Sequence, residues 1–387
     1  MASQTTLSTP NSVRTSWPVL ATATMLAGVA AGTGGMLVAL LLHFVQHLAY
    51  DYNHGVSASP PLRRFVVLSV CGLVAGIGWR VVYRFGPPLV SISKAVHSKG
   101  ARMPVLATAA HALLQTVTVA MGSPLGREVA PREVGALLAA GLSHRLRLGG
   151  EERQILIACG AGGGLAAVYN VPFGAALFVL ETLLGSFKLT AVIPAITTSV
   201  IAAYVAQAGL GDQTQYAVPP LAVSPLLIVW SILAGPIFGF SAYWFAEAVS
   251  AARAHVPRDW RLLVWCLTVF TAIGVAAIPF PQILGNGKEV AQLGFAGDIG
   301  IGLAATLLVI RVAITIGAFR AGAEGGVLTP SVAAGALLAI AWNSDGRNGR
   351  GSAKCTGRRS RLFHSGRETE AQSRRLRGNL GGYGRSQ

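Results

Sequence analysis

Five stretches of this chain are apolar enough and long enough to cross a lipid bilayer, and they limit what it can fold into. They cover residues 19–49, 65–82, 189–210, 219–249 and 299–318. A hydrocarbon core of roughly 30 Å takes about 20 residues of helix. Shorter apolar runs lie at 105–121, 155–169, 171–184, 262–278 and 327–342. Together they predict about ten hydrophobic segments, several too short or too glycine-rich to be simple spans. Charged residues are only 12% of the chain against 52% hydrophobic, where a soluble domain carries about 25% charge. A water-facing surface cannot be built from this composition, so a soluble reading is excluded. Glycine is high, at 47 residues. Small residues let membrane helices approach closely, and broken helices persist at membrane depth only where the freed backbone lines a cavity. The composition points to a transporter or channel rather than an anchor.

Three regions follow along the chain. Residues 1–17 form a polar lead. The apolar run after it is too long for the core of a secretory signal and reads as the first membrane helix. Residues 18–342 are the membrane body. Residues 343–387 hold eleven Lys/Arg against three Asp/Glu, half of the chain's net charge of +16. With no apolar periodicity they cannot bury a core, and a disordered basic tail is expected. The switch interrupts an apolar run, as a frameshift or a replaced terminus would. Much of the remaining positive charge sits in short loops such as 80–84, 94–102, 144–153 and 253–261, which marks those loops as cytoplasmic. They form no folded basic module, so no nucleic-acid partner is expected. Cys71, Cys159, Cys266 and Cys355 are scattered, which gives neither a metal site nor a disulfide framework. No HExxH, no GxSxG with a partner histidine and no acidic cluster is present, so the chain is not read as an enzyme, and no cofactor is expected.

Two short motifs mark corresponding places in two halves. Gly126-Arg127-Glu128-Val129-Ala130-Pro131 opens one apolar helix, and Gly325-Gly326-Val327-Leu328-Thr329-Pro330 opens another. Paired Gly/Pro interruptions of this kind point to an inverted-repeat transporter with its site at the midplane. A helix start presents free N–H groups and the positive end of a dipole, and binds anions. Glu128 would put its own carboxylate there, in competition with a mobile anion. The plainer alternatives are that Glu128 caps its own helix or pairs with Arg127. His111 reads as a packing histidine, Glu133 as an ion-pair partner of Arg132, Arg311 as a structural residue held by carbonyls or a carboxylate, Glu324 as a cap, and Trp230, Trp244, Trp260 and Trp265 as interfacial anchors. The run Gly160–Gly164 is no phosphate loop, because no strand precedes it.

The stretch GSPLGREVAPREVGA, residues 122–136, resembles the GREGP motif of the CLC family of chloride channels and chloride/proton antiporters. The likeness continues through His144–Arg153 and into GAGGGLAAVYNVP, residues 160–172, which is similar to the family's GAAAGLAAAFNAP. Gly285-Asn286-Gly287 resembles a family loop, and Gly325–Pro330 resembles its GGxFxP motif. The resemblance covers roughly residues 60–340. It implies an all-α, polytopic membrane protein, an inverted-repeat bundle of tilted and broken helices, that carries chloride or a similar anion with Glu128 as the gate. It implies anion contacts from Gly86, Gly126, Arg127, Glu128, Val129, Gly326, Val327 and Leu328, and a homodimer. It also sets three departures in view. Where the family has GSGIP, this chain reads Gly86-Pro87-Pro88-Leu89-Val90, with no serine hydroxyl. GREGP reads GREVA, with Pro131 displaced by one. At the inner gate, Glu181 is matched, but the following carboxylate of the antiporters is Thr182, which cannot titrate in the useful range. The family's last helices, with their tyrosine, would follow residue 342. The alternative reading is a truncated membrane remnant that conducts nothing. Ion preference, and channel against antiporter, stay open at this stage.

Overall fold

The computed structural model describes residues 17–50, 56–98, 102–212, 214–218, 223–297 and 299–342. The basic tail with Cys355, and nearly all of the polar lead, lie outside the described residues. Thirteen α-helices are present among the described residues: α1 Trp17–Tyr50, α2 Pro61–Phe85, α3 Ile92–His97, α4 Val105–Ala120, α5 Val129–Arg145, α6 Gly150–Tyr169, α7 Pro172–Phe178, α8 Leu189–Leu210, α9 Pro225–Ala254, α10 Arg261–Ala276, α11 Lys288–Ala296, α12 Ile301–Arg320 and α13 Leu328–Trp342. Five of them, α1, α2, α8, α9 and α12, are long and apolar enough to cross a membrane. Four match the apolar runs closely. The fourth long run, expected from residue 219, yields a helix only from Pro225, where Ser224 accepts a hydrogen bond from the Leu227 amide at 3.2 Å. Serine at the cap with proline at the first helical position is a strong start signal.

The ends of the broken helices are written in the sequence. Glu151 and Glu152 occupy the first turn of α6, where they meet the positive end of its dipole. Asn170 closes α6 in the left-handed conformation, φ +53°, and Pro172 opens α7 at once. The chain then passes through a π-helical turn, Val179–Leu184, that Gly185 closes at φ +58°.

Close backbone contact packs this bundle. A Cβ on Gly135 would run into the Gly160 carbonyl, and one on Gly164 into the Pro131 carbonyl. Here α5 and α6 touch backbone to backbone, as small residues allow in membrane helices. This explains the Gly160–Gly164 run without a ligand. Around α12 a second core gathers Leu68, Leu125, Phe270, Leu307, Phe319 and Leu337. By contrast α9 keeps almost all its side chains exposed, Trp230 and Trp244 among them, and Trp260 and Trp265 are exposed on α10 and its approach.

The turns before the two motifs correspond residue by residue at an offset of 200. Met121 donates to Val117 O, Gly122 to Val119 O and Ser123 to Thr118 O; Ala321 donates to Gly317 O, Gly322 to Phe319 O and Ala323 to Ala318 O. Gly122 and Gly322 both sit at strongly positive φ, +99° and +96°, which glycine adopts without steric cost. Each half therefore breaks a membrane helix with the same turn before starting the next, α5 or α13. The two loops then meet. Gly126 N donates to Gly326 O at 2.7 Å and Gly326 N to Gly126 O at 2.9 Å, an isolated antiparallel bridge.

Arg311 fixes this junction from below. It is 1% exposed and, among the described residues, has no acidic partner; Nη1 donates to Ile283 O at 2.7 Å and Nη2 to Pro124 O at 3.4 Å. The structural role expected for it holds, with carbonyls as partners. Arg311→Met leaves two buried carbonyls without donors and should cost about 2 kcal/mol, read as a lowered Tm in detergent. An unchanged Tm would show that the clamp carries no stability.

Candidate functional site

Glu128 lies at the meeting point of the loops and is 1% exposed. Its backbone occupies the cap position of α5, yet its side chain makes no capping bond there. The carboxylate instead reaches across the bridge and caps the helix of the other half. Oε1 accepts from the Leu328 amide at 2.6 Å. Oε2 accepts from the Tyr169 hydroxyl at 3.2 Å and, more distantly, from the Thr329 hydroxyl at 3.5 Å. A buried carboxylate is tolerable only when hydrogen-bonded in this way. The sequence-based alternative of a self-cap is thereby replaced by a cap made 200 residues away.

The two glycines exist for the carboxylate. A Cβ on Gly126 would collide with Oε2, and one on Gly326 with Oε1. Neither has a positive φ, so space rather than backbone conformation demands glycine at both.

The expected anion donors need sorting. Gly126 and Gly326 cannot donate, because their amides are committed to each other. Gly86 is also removed as a donor: its amide caps α2 by bonding Val82 O at 3.0 Å. Pro87 and Pro88 hold the next backbone extended, and the next helix starts only at Ile92, capped by Ser91. Leu328 is brought to the carboxylate, with Val327 beside it, and Val129 begins α5. Arg127 does not pair with Glu128. Its guanidinium lies over the Tyr169 ring at 5.3 Å and Nη2 donates to Gln215 Oε1 at 2.9 Å. Arg132 does not pair with Glu133 either. Its Nε donates to the Glu128 carbonyl at 2.9 Å and its head stacks on Phe178. Glu133 is taken by His111, Oε2 to Nδ1 at 2.8 Å, with Gln115 at the same nitrogen. Glu324 does not cap; it accepts from the Tyr83 hydroxyl at 3.0 Å. Glu181 and Thr182 are exposed on the π-helical turn.

Tyr169 and Thr329 are the site residues that sequence reasoning missed. Both stood inside the quoted motifs, and a hydroxyl in an apolar stretch was the signal: the resembled segment has phenylalanine where this chain has Tyr169.

Two clefts are lined by chain neighbours of the junction residues. One, of about 660 Å³, is lined by His43, Tyr50, Arg127, Asn286, Lys288 and Glu289. The other, of about 920 Å³, is lined by Gly86–Ser91, His111, Glu133, Glu324 and the basic residues Arg80, Arg84, Arg253 and Arg258. Arg127, next to Glu128 in the chain, lines the first cleft, and Glu133 and Glu324 line the second. Each cleft carries more basic than acidic side chains.

Thirteen helices among the described residues, a turn repeated at a 200-residue offset and two broken-helix loops closed on one carboxylate define a multi-pass, inverted-repeat membrane protein. The chain belongs to the voltage gated chloride channel family, whose profile matches residues 71–344. A H(+)/Cl(-) exchange transporter ClcA from Vibrio parahaemolyticus is 27% identical over 335 residues, covering 82% of this chain and 71% of that one. A voltage-gated ClC-type chloride channel ClcB from Salmonella typhimurium is 26% identical over 329 residues, covering 79% and 78%. Among solved structures, a slow cyanobacterial Cl-/H+ antiporter superposes with a TM-score of 0.72 at 18% identity, over 84% of this chain and 79% of that one. A CLC-type fluoride/proton antiporter gives 0.62 at 19%, over 84% and 82%. These structural likenesses establish the shared fold.

Proposed function

We propose that this chain carries chloride or a similar small anion across the membrane, with Glu128 as the gate. The observation that carries the reading is the Glu128 carboxylate itself. It is a built-in anion, 1% exposed, held by an amide and a hydroxyl where the loops of the two halves meet. While ionised it occupies the place a passing anion would need; protonated or displaced, it frees those donors. A mobile anion there exchanges its hydration for protein donors, the means by which membrane selectivity sites work. The cleft bearing Arg80, Arg253 and Arg258 is the cytoplasmic mouth, because it gathers the basic loops at 80–84 and 253–261. Homologues named as chloride channels and as proton/chloride exchangers support anion transport as the activity.

Purified protein in liposomes should give chloride flux above that of protein-free vesicles, rising as pH falls from neutral toward 4.5. No flux at any pH would overturn the reading and leave the non-conducting remnant. The same vesicles test coupling. Thr182 offers no proton carrier at the inner position, so a chloride gradient should move few or no protons. Uphill proton movement at a fixed ratio would refute uncoupled transport.

A further inference from the structure

We infer that Tyr169 and Thr329 form a hydroxyl pair that makes the Glu128 position selective for compact halides over diffuse anions. The inference rests on the reading of Glu128 as an anion gate. Tyr169 is the last residue of α6 and Thr329 lies in the first turn of α13, so two separate helix ends bring these hydroxyls together. Their oxygens are 2.9 Å apart. Both residues are buried, 9% and 3% exposed.

Proton arithmetic orders the pair. Each hydroxyl has one proton to give. Tyr169 is 3.2 Å from Glu128 Oε2, whereas Thr329 is 3.5 Å from it. The shorter path is therefore a chain in which Thr329 donates to Tyr169 and Tyr169 donates to the carboxylate. Donors in series polarise one another, and the last one donates more strongly. Tyr169 is thus the contact to charge, and Thr329 a positioning residue acting through it.

When the carboxylate withdraws, the Leu328 amide and the Tyr169 hydroxyl are left aimed at one vacated place. A monatomic anion there meets both. Burial alone favours weakly hydrated, diffuse ions such as thiocyanate, since these lose least on leaving water. Strong donors reverse that order, because a hydrogen bond to concentrated charge is worth most. The backbone amide is common to any sequence; the hydroxyls are what residues 169 and 329 add. The neighbouring Arg127, which lies over the Tyr169 ring, stiffens the ring's position.

The test measures binding of chloride and of thiocyanate by calorimetry on full-length protein in detergent. Glu128→Ala serves as the background, so the native carboxylate does not compete. Adding Tyr169→Phe should weaken chloride about tenfold, the scale of one hydrogen bond to a charge, while thiocyanate changes less than about threefold. Thr329→Val should shift the chloride-to-thiocyanate ratio in the same direction by a smaller factor, and Thr329→Ser should restore it. Melting temperatures check that each variant is folded. An unchanged ratio in folded Tyr169→Phe overturns the inference while leaving the gate intact. A folded variant that loses both anions equally also overturns it, as that marks a structural role. No chloride binding in the Glu128→Ala background overturns the gate reading, and the selectivity with it.

Discussion

Glu128→Gln should raise anion flux at neutral pH about 30-fold and flatten its dependence on pH. The size follows from the bonds in hand. The carboxylate is held by the Leu328 amide at 2.6 Å and the Tyr169 hydroxyl at 3.2 Å. Neutralising the acceptor weakens each such bond by about 1 kcal/mol, and about 2 kcal/mol corresponds to about 30-fold in the population of the displaced state. Glutamine keeps nearly the same shape, so loss of charge rather than loss of bulk is what the variant reads. The control is Glu133→Gln, which removes one negative charge from the same helix. Its carboxylate is committed to His111 at 2.8 Å and holds neither the Leu328 amide nor the Tyr169 hydroxyl, so its effect on flux should stay well below that of Glu128→Gln. Liposome efflux between pH 4.5 and 7.5 checks both. Equal effects from the two variants would mean that bulk electrostatics governs flux and that Glu128 only caps α13.

Much of this arrangement was legible in the sequence, and the reasons are local. Apolar runs fix where helices can span, and the paired Gly/Pro motifs fix where they break. The offset of 200 between Gly126 and Gly326 is visible by eye. Glu128 stood out because a carboxylate beside glycines at a helix start is chemically loaded wherever it lies. What stayed hidden depended on which distant segments meet. A helix-start acid ordinarily caps its own helix, and only the antiparallel bridge turns this one toward Leu328. Tyr169 meets Glu128 across 41 residues of sequence and Thr329 meets it across 201, so no periodicity could pair them. The same holds for Glu133, whose sequence neighbour Arg132 is drawn off by the Glu128 carbonyl and the Phe178 ring. Gly86 failed for a nearer reason. Two prolines after it hold the chain extended, and the next helix begins only six residues later, at Ile92. Nothing in VLETLL announces the π-helical turn at Val179–Leu184 that carries Glu181.

Gly326→Ala should open the gate without touching the glutamate. The structure requires space, not backbone freedom, at this position: its φ is not positive, while a methyl group there would fall on Glu128 Oε1. Alanine therefore fits the backbone but excludes the carboxylate from its seat, and the side chain must move off the Leu328 amide. Overpacking of this kind costs about 1–3 kcal/mol. Because that cost falls only on the seated carboxylate, flux at neutral pH should rise by about tenfold or more and lose its pH dependence. Gly126→Ala presses on Oε2 from the other loop and should act in the same direction. The decisive arm is the double variant. In a Glu128→Ala background there is no carboxylate to expel, so Gly326→Ala should add nothing to flux. Two contacting residues that act through one event are expected to be non-additive. If Gly326→Ala instead lowers flux equally in the presence and absence of the carboxylate, with the fold intact by melting, then the methyl group obstructs the anion's own path and glycine is there for the ion rather than for Glu128.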